Sequence, residues 1–270
     1  MPTLPSLFIS HGAPTFALEP GRAGAHLAAL GRSLPRPAAV LIVSPHWMSA
    51  EPRVAMSPRP ETIHDFGGFD PALYRIQYPA PGHPALAQQA LLRLHAAGWA
   101  AEPDAQQGLD HGAWVPMRHL YPQADVPVFQ VSLPGGLDAD RAWALGAALA
   151  PLADDGVLIV GSGSVTHNLA DFRGPGGSVL PYVPRFAGWV RDAVAAGDGE
   201  RLRRTLLDAP DAARAHPTTE HFWPLLVAAG AARSRTGWQV LEGDIDHGML
   251  AMDAFVFGTT PREERQGIWQ

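Results

Sequence analysis

The sequence predicts an α/β protein, a three-layer α/β/α sandwich on a mostly parallel or mixed sheet, and three observations carry that expectation. Short apolar runs of strand length alternate with longer helical stretches, the pattern of βα units rather than of a bundle. The run Ala38–Ser44 (AAVLIVS) is almost continuously apolar, as expected of a strand covered on both faces. The chain has 270 residues, 46% hydrophobic and only 17% charged, enough to bury one core, so residues 1–270 are expected to form a single domain.

The elements follow in order. Leu4 to Ser10 reads as a strand ending in Ser10-His11-Gly12, and Ala38–Ser44 as a buried strand between Pro37 and Pro45, ending in His46-Trp47. Residues 53–57 extend the sheet, and 58–82, rich in Pro and Gly, form a long loop of the kind that usually carries function. Pro84 opens a helix that runs to about Ala97 and stops at Gly98. After a loop at 108–112 comes a short helix to Leu120, then a strand over Val126–Leu133. Asp138 caps a helix to Leu152, and Val157–Val160 is a buried strand entering Gly161-Ser162-Gly163. Residues 181–207 read as one or two helices, and Thr218–Ala229 as a helix that Pro224 distorts. Gln239–Glu242 and Ala251–Gly258 are the last strands, and the polar tail 259–270 is expected to be peripheral.

Composition removes several function classes. Net charge is -6 without any basic cluster, so no electrostatic footprint of a nucleic-acid or membrane-surface binder is present. Cysteine is absent, which excludes disulfides, thiolate metal sites and cysteine nucleophiles. No apolar run approaches ~18 residues, so no membrane span is expected. Met1-Pro2-Thr3 leads straight into an apolar strand without the basic stretch of a signal peptide, and cytoplasm is the expected compartment.

The sequence contains 12 histidines, and their placement matters more than their number. Ligands of open α/β sheets bind beyond the carboxyl ends of the strands. His11 follows the first strand, His46 the second, and His167 follows Val157–Val160 after a Gly/Ser-rich turn. A single strand-end histidine is ordinarily a hydrogen-bonded loop residue; three on one rim can converge on a metal with open positions. A further ligand is expected from His216-Pro217-Thr218-Thr219-Glu220-His221, in which His216, Glu220 and His221 all qualify. In a helix His216 and Glu220 would share a face, and spacing does not choose among the three.

Six strings occur in order: SHGAP at 10–14, SPHW at 44–47, IHDFGGF at 63–69, LDHGAW at 109–114, SGSVTHNL at 162–169 and PTTEHFWPL at 217–225. Together they resemble the class III extradiol ring-cleavage dioxygenases, in the DOPA 4,5-dioxygenase-like branch, from residue 4 to about 257. The resemblance implies that His11, His46 and His221 ligate the metal, with Glu220 in reserve because other branches use a glutamate. It implies that His167 stands beside the metal as acid/base, near enough to approach it directly, and that His111 faces the substrate or supports the site. Fe(II) is the metal expected for activity, with Zn(II) as a plausible bound form. The partners implied are a catechol-type small molecule and O2, and the product is a muconic semialdehyde.

The remaining candidates weigh less. The Asp65-Phe66-Gly67-Gly68 loop is expected to shape and close the pocket, Tyr74 and Arg75 to meet a carboxylated substrate or to be solvated or packed. His26, His83, His95 and His119 are expected at the surface, and His247 in another turn near the site. Two rivals stand beside the dioxygenase. A zinc-dependent hydrolase, an amidase or deacylase on a similar sandwich, would use His167 or Glu220 as base on a metal-bound water. A non-catalytic interaction module would have no need of His11, His46, His167 and His221 together.

Overall fold

The computed structural model describes residues 4–234 and 236–258, so the expectation for the tail lies outside the described residues. The chain runs β1 (Ser6–Ser10), α1 (Gly21–Ser33), β2 (Ala39–Ser49), β3 (Arg53–Ala55), α2 (Pro84–Ala96), β4 (Glu102–Asp104), α3 (His111–Leu120), β5 (Val128–Pro134), α4 (Ala139–Leu149) and β6 (Val157–Gly163). It continues with α5 (Tyr182–Ala195), α6 (Gly199–Arg203), α7 (Thr205–Asp208), α8 (Ala212–Ala215), α9 (Trp223–Gly230), β7 (Gln239–Leu241), β8 (Ile245–Asp246), β9 (Leu250–Ala251) and β10 (Ala254–Phe257). Eight strands form one mixed sheet in the order β4-β3-β5-β2-β6-β1-β10-β7. Its centre is parallel: β2 pairs in parallel with β5 and β6, and β6 with β1. Strands β10 and β7 continue it antiparallel. No described helix is long and apolar enough to cross a membrane.

Helices cover both faces, as expected of strands that are apolar throughout. Helices α1 and α3 pack together, with α3 against β2 and β6; α9 lies on β1, β2 and β6 with α4 beside it and α2 beyond. Residues Val40, Leu41, Ile42 and Val43 are fully buried, and each such side chain contributes about 1.5–3 kcal/mol relative to exposure. Strand β6 explains how close the layers come. A Cβ on Gly161 would overlap the Pro224 carbonyl and one on Gly163 the His221 carbonyl, while the intervening Ser162 points the other way and donates its hydroxyl to the Gly112 carbonyl at the start of α3.

Several boundaries depart from the sequence reading. Strand β2 does not stop before Pro45 but continues to Ser49, because its register against β5 jumps from Ser44↔Ser132 to Met48↔Leu133. Three residues with His46 at their centre bulge out, a device that re-aims a side chain at a sheet rim. Helix α9 starts at Trp223 with Pro224 in its first turn, so this proline begins the helix instead of distorting one. The expected helix after Asp138 gives way at Ala150 to a 3-10 turn ending at Gly156, φ 78°. Helix α1 and edge strand β4 are not evident from local sequence: the first is rich in glycine, and the second is three residues with Pro103 at its centre.

Candidate metal centre

Five histidines meet at the carboxyl-end rim of the parallel strands. His11 leaves β1 and is followed by Gly12 at φ +62°, a left-handed turn that a side chain would strain. His46 comes from the bulge of β2, and His111 is the first residue of α3. His167 ends the turn after β6, where its backbone N–H donates to the Ala215 carbonyl at 2.8 Å. His221 lies in the turn before α9, and its carbonyl accepts from Ser164 N–H at 2.9 Å. The two turns are thus cross-linked through the backbone, and the His167 and His221 rings stack at 3.5 Å, 9° from parallel.

The geometry aims one nitrogen of each of three rings inward. His11, His46 and His221 offer nitrogens all within 4.8 Å of one another. His11 Nδ1 lies 2.9 Å from Ser162 Oγ, whose own hydrogen is committed to the Gly112 carbonyl, so the ring nitrogen is the donor. His221 Nδ1 lies 3.0 Å from Glu220 Oε1. His46 Nδ1 faces Asp65 Oδ2 at 3.5 Å, and His111 Nδ1 meets the same oxygen at 2.9 Å. Donors held outward at Nδ1 leave Nε2 lone pairs pointing in, the arrangement that outer hydrogen bonds impose on metal-binding histidines.

Burial keeps the rings of His11, His46, His167 and His221 neutral. His11 is held well below the ordinary histidine range by desolvation, and then by the neighbouring imidazoles. His46 is lowered by the same two causes, and His167 is pushed down to about 3, mainly by burial and then by His221. Glu220 is held at about 2 by its bond to His221, which pulls His221 upward, yet burial of His221 wins and it too is lowered. That pair is therefore a carboxylate accepting from a neutral ring.

The donor set fits a non-haem metal. The Nε2 atoms of His11 and His46 stand 3.1 Å apart. Two neutral nitrogens both bare at that distance repel unless a cation lies beside them, and the separation is about that of adjacent ligands with bonds of ~2.1 Å. All ligand atoms are imidazole nitrogen or carboxylate oxygen, a set that iron and zinc share.

The other candidates sort clearly. Glu220 is spent on His221 Nδ1, and it forms a separate group of possible ligand atoms with His167 and His221. His216 does not join: it is buried, 5.5 Å from the Phe186 ring centre, and donates Nε2–H to the Val165 carbonyl at 2.8 Å. Because 217–222 is a turn, helical spacing does not govern that segment. His247 stacks on Phe172 at 4.6 Å, away from the five. His119 is half-buried and bonds the Phe16 carbonyl at 2.9 Å, contrary to the surface expectation. Tyr74 is exposed, and its ring packs on Phe66 at 5.2 Å.

Three contributors escape the sequence reading as individuals. Asp65 accepts from both the backbone N–H and Nδ1 of His111, at 2.8 and 2.9 Å. Ser162 orients His11. Asp110, fully buried, caps α3 by accepting from Ala113 N–H at 3.0 Å, from Ser44 Oγ at 2.9 Å and from Gln130 Nε2 at 2.6 Å, which ties the ends of β2 and β5 to the helix carrying His111. The available signal is a polar residue inside an apolar run, as with Gln130 in VFQVSL. Around the centre Phe66, His64, Tyr74 and Trp114 form one aromatic wall, and Phe66 meets the His111 ring edge-on at 5.7 Å.

A family model described as the catalytic LigB subunit of aromatic ring-opening dioxygenase matches residues 7–251. A Beta vulgaris protein named 4,5-DOPA dioxygenase extradiol is 38% identical over 259 residues, 94% of this chain and 97% of that protein. A protein of the same name from Escherichia coli is 37% identical over 253 residues, 92% and 93% of the two chains. The crystal structure of an uncharacterized protein from Escherichia coli K12 superposes with a TM-score of 0.78 at 30% identity, covering 94% of this chain and 100% of the other.

Proposed function

Because the chain belongs to the family of the catalytic LigB subunit of aromatic ring-opening dioxygenases and is an extradiol ring-cleaving dioxygenase, we propose that it opens a catechol-type, DOPA-like ring with O2 at a single Fe(II). In this reading His11, His46 and His221 hold the iron, His167 and His111 act on the substrate, and the product is a muconic semialdehyde. The whole chain serves as one catalytic unit. The observation that carries it is the convergence of neutral, outward-tethered imidazoles on the rim of the sheet. When bound, the metal lowers the pKa of the diol hydroxyls and brings diol and O2 side by side.

The chain's own residues account for the rest. His167, neutral because it is buried, accepts a proton from a substrate hydroxyl at a ring nitrogen and returns it to the leaving oxygen when the ring opens. Its stacking on His221 fixes the plane in which that proton moves. His111, with Nδ1 committed to Asp65, presents Nε2 to the substrate. The wall of Phe66, Trp114 and Tyr74 suits a flat aromatic ring. The zinc-hydrolase rival has no observation in its favour, since the matched relatives are named as dioxygenases.

Oxygen uptake tests the proposal. Protein loaded anaerobically with Fe(II) is expected to consume one O2 per catechol and to form a yellow product with at least one of DOPA, caffeate and protocatechuate. Absence of uptake with every catechol would overturn it.

A further inference from the structure

We propose that Asp65 is a positioning residue which acts through His111, fixing its tautomer and ring plane so that a bare Nε2 faces the substrate. This rests on the dioxygenase reading of the same site. The loop that carries Asp65 is not loosely draped. Leu109 N–H donates to the Glu61 carbonyl at 2.7 Å, Ile63 N–H to the Leu109 carbonyl at 2.8 Å, and Trp114 Nε1–H to the Ile63 carbonyl at 3.0 Å. Residues 61–65 therefore run along 109–111 and deliver the carboxylate to the start of α3.

There its two oxygens divide the work. Oδ1 accepts the backbone N–H of His111, and Oδ2 accepts Nδ1 of the ring. The first bond satisfies a free N–H at a helix start and is a structural contact. The second has no such purpose. A carboxylate has no hydrogen to give, so the ring must be the donor at Nδ1, and Nε2 is left bare. His46 Nδ1 is the competing donor for Oδ2, but at 3.5 Å against 2.9 Å it is the weaker partner. Phe66, the next residue, sets its ring edge-on to His111 at 5.7 Å.

Asp65→Asn discriminates between the two bonds. The amide can still accept the backbone N–H through Oδ1, but its NH2 then faces Nδ1 and forces the hydrogen to Nε2. The helix start survives while the tautomer inverts. In zinc-loaded, 15N-histidine-labelled protein, with His111 assigned by the signal lost in His111→Ala, the wild type is expected to show a protonated Nδ1 and Asp65→Asn a protonated Nε2. With Fe(II) and the active catechol, kcat is expected to fall by about 10–100-fold, with KM within about threefold and metal stoichiometry unchanged. In the His111→Ala background the same substitution should cause no further loss, because the two act as one unit.

A protonated Nε2 in wild type would overturn the proposal. So would an equal loss of kcat from Asp65→Asn in the His111→Ala background, or loss of metal from Asp65→Asn, which would place its effect on His46. If wild-type protein consumed no O2 with any catechol, the dioxygenase proposal would fall instead, and the zinc-protein spectrum would still decide the tautomer.

Discussion

Replacement of His216 by alanine separates a ligand from a clamp. The side chain is buried at 4% exposure, donates Nε2–H to the Val165 carbonyl and packs between Phe186 and Phe222. Removing it leaves a buried carbonyl unpaired, about 1–3 kcal/mol, and opens a cavity of the kind that costs about 2–3 kcal/mol. Together the two effects come to about 3–6 kcal/mol at pH 8. Burial also lowers the His216 pKa from 6.5 to about 4. The sign follows from linkage: the unfolded chain takes up a proton below pH 6.5 that the folded chain refuses until near pH 4, so stability from this group falls with pH. Between about pH 8 and pH 5 the wild type should lose about 2 kcal/mol that the variant does not, because each pH unit below the unfolded-chain pKa costs about 1.4 kcal/mol. Urea unfolding of chelator-treated protein at about pH 8, 6 and 5 measures both quantities, and metal analysis at the highest pH should give wild-type stoichiometry. A gap between the two proteins that stayed constant with pH, or a folded variant that bound no metal, would refute the reasoning.

Three further outcomes are expected. His46→Ala should keep the fold, because the bulge in β2 is set by register, but should lose stoichiometric metal by elemental analysis; unchanged stoichiometry would dismiss the shared centre. Arg191→Met strands Asp253, whose side chain is fully buried and bonded by Arg191 Nε at 3.1 Å and Nη2 at 3.0 Å. Thermal or urea unfolding should show a loss of about 3–5 kcal/mol at neutral pH. Burial raises the Asp253 pKa, so the deficit should shrink on acidification as the carboxyl takes up its proton, and an undiminished deficit would argue against an unpaired charge. Gly161→Ala should destabilise by about 1–3 kcal/mol through overpacking against the Pro224 carbonyl, a cost that a wild-type melting temperature would contradict.

Much of this architecture is legible in the residues. AAVLIVS and VLIV have the composition of buried strands, and Asp138 announces its helix, accepting Arg141 N–H at 2.8 Å. The rim histidines follow from strand ends alone. The bulge that delivers His46 does not, because proline at 45 reads locally as a stop and only the pairing with β5 shows that the strand resumes. His216 illustrates the complementary failure: its composition is that of a ligand, and only the fold shows its ring turned to Val165 and the aromatic core. In the sequence Asp65 reads as part of a loop that shapes the pocket. Its bond to His111 depends on a ladder between segments more than forty residues apart, which local sequence does not encode.

The three inward nitrogens come from the first strand, the second strand and the turn before α9, nearly the full span of the described chain. No fragment short of the assembled sheet brings them together, and the central pairings β1–β6 and β2–β6 are themselves between distant segments. A growing or partly folded chain thus offers only scattered imidazoles with weak, unselective affinity. If His11, His46 and His221 hold the ion as proposed, it would meet its full ligand set after the topology has closed and would then favour the native ensemble alone by mass action. On the proposed ligand set, metal acquisition is expected to be a late event that reports on completed folding, and chelation should loosen the whole molecule rather than one rim of it.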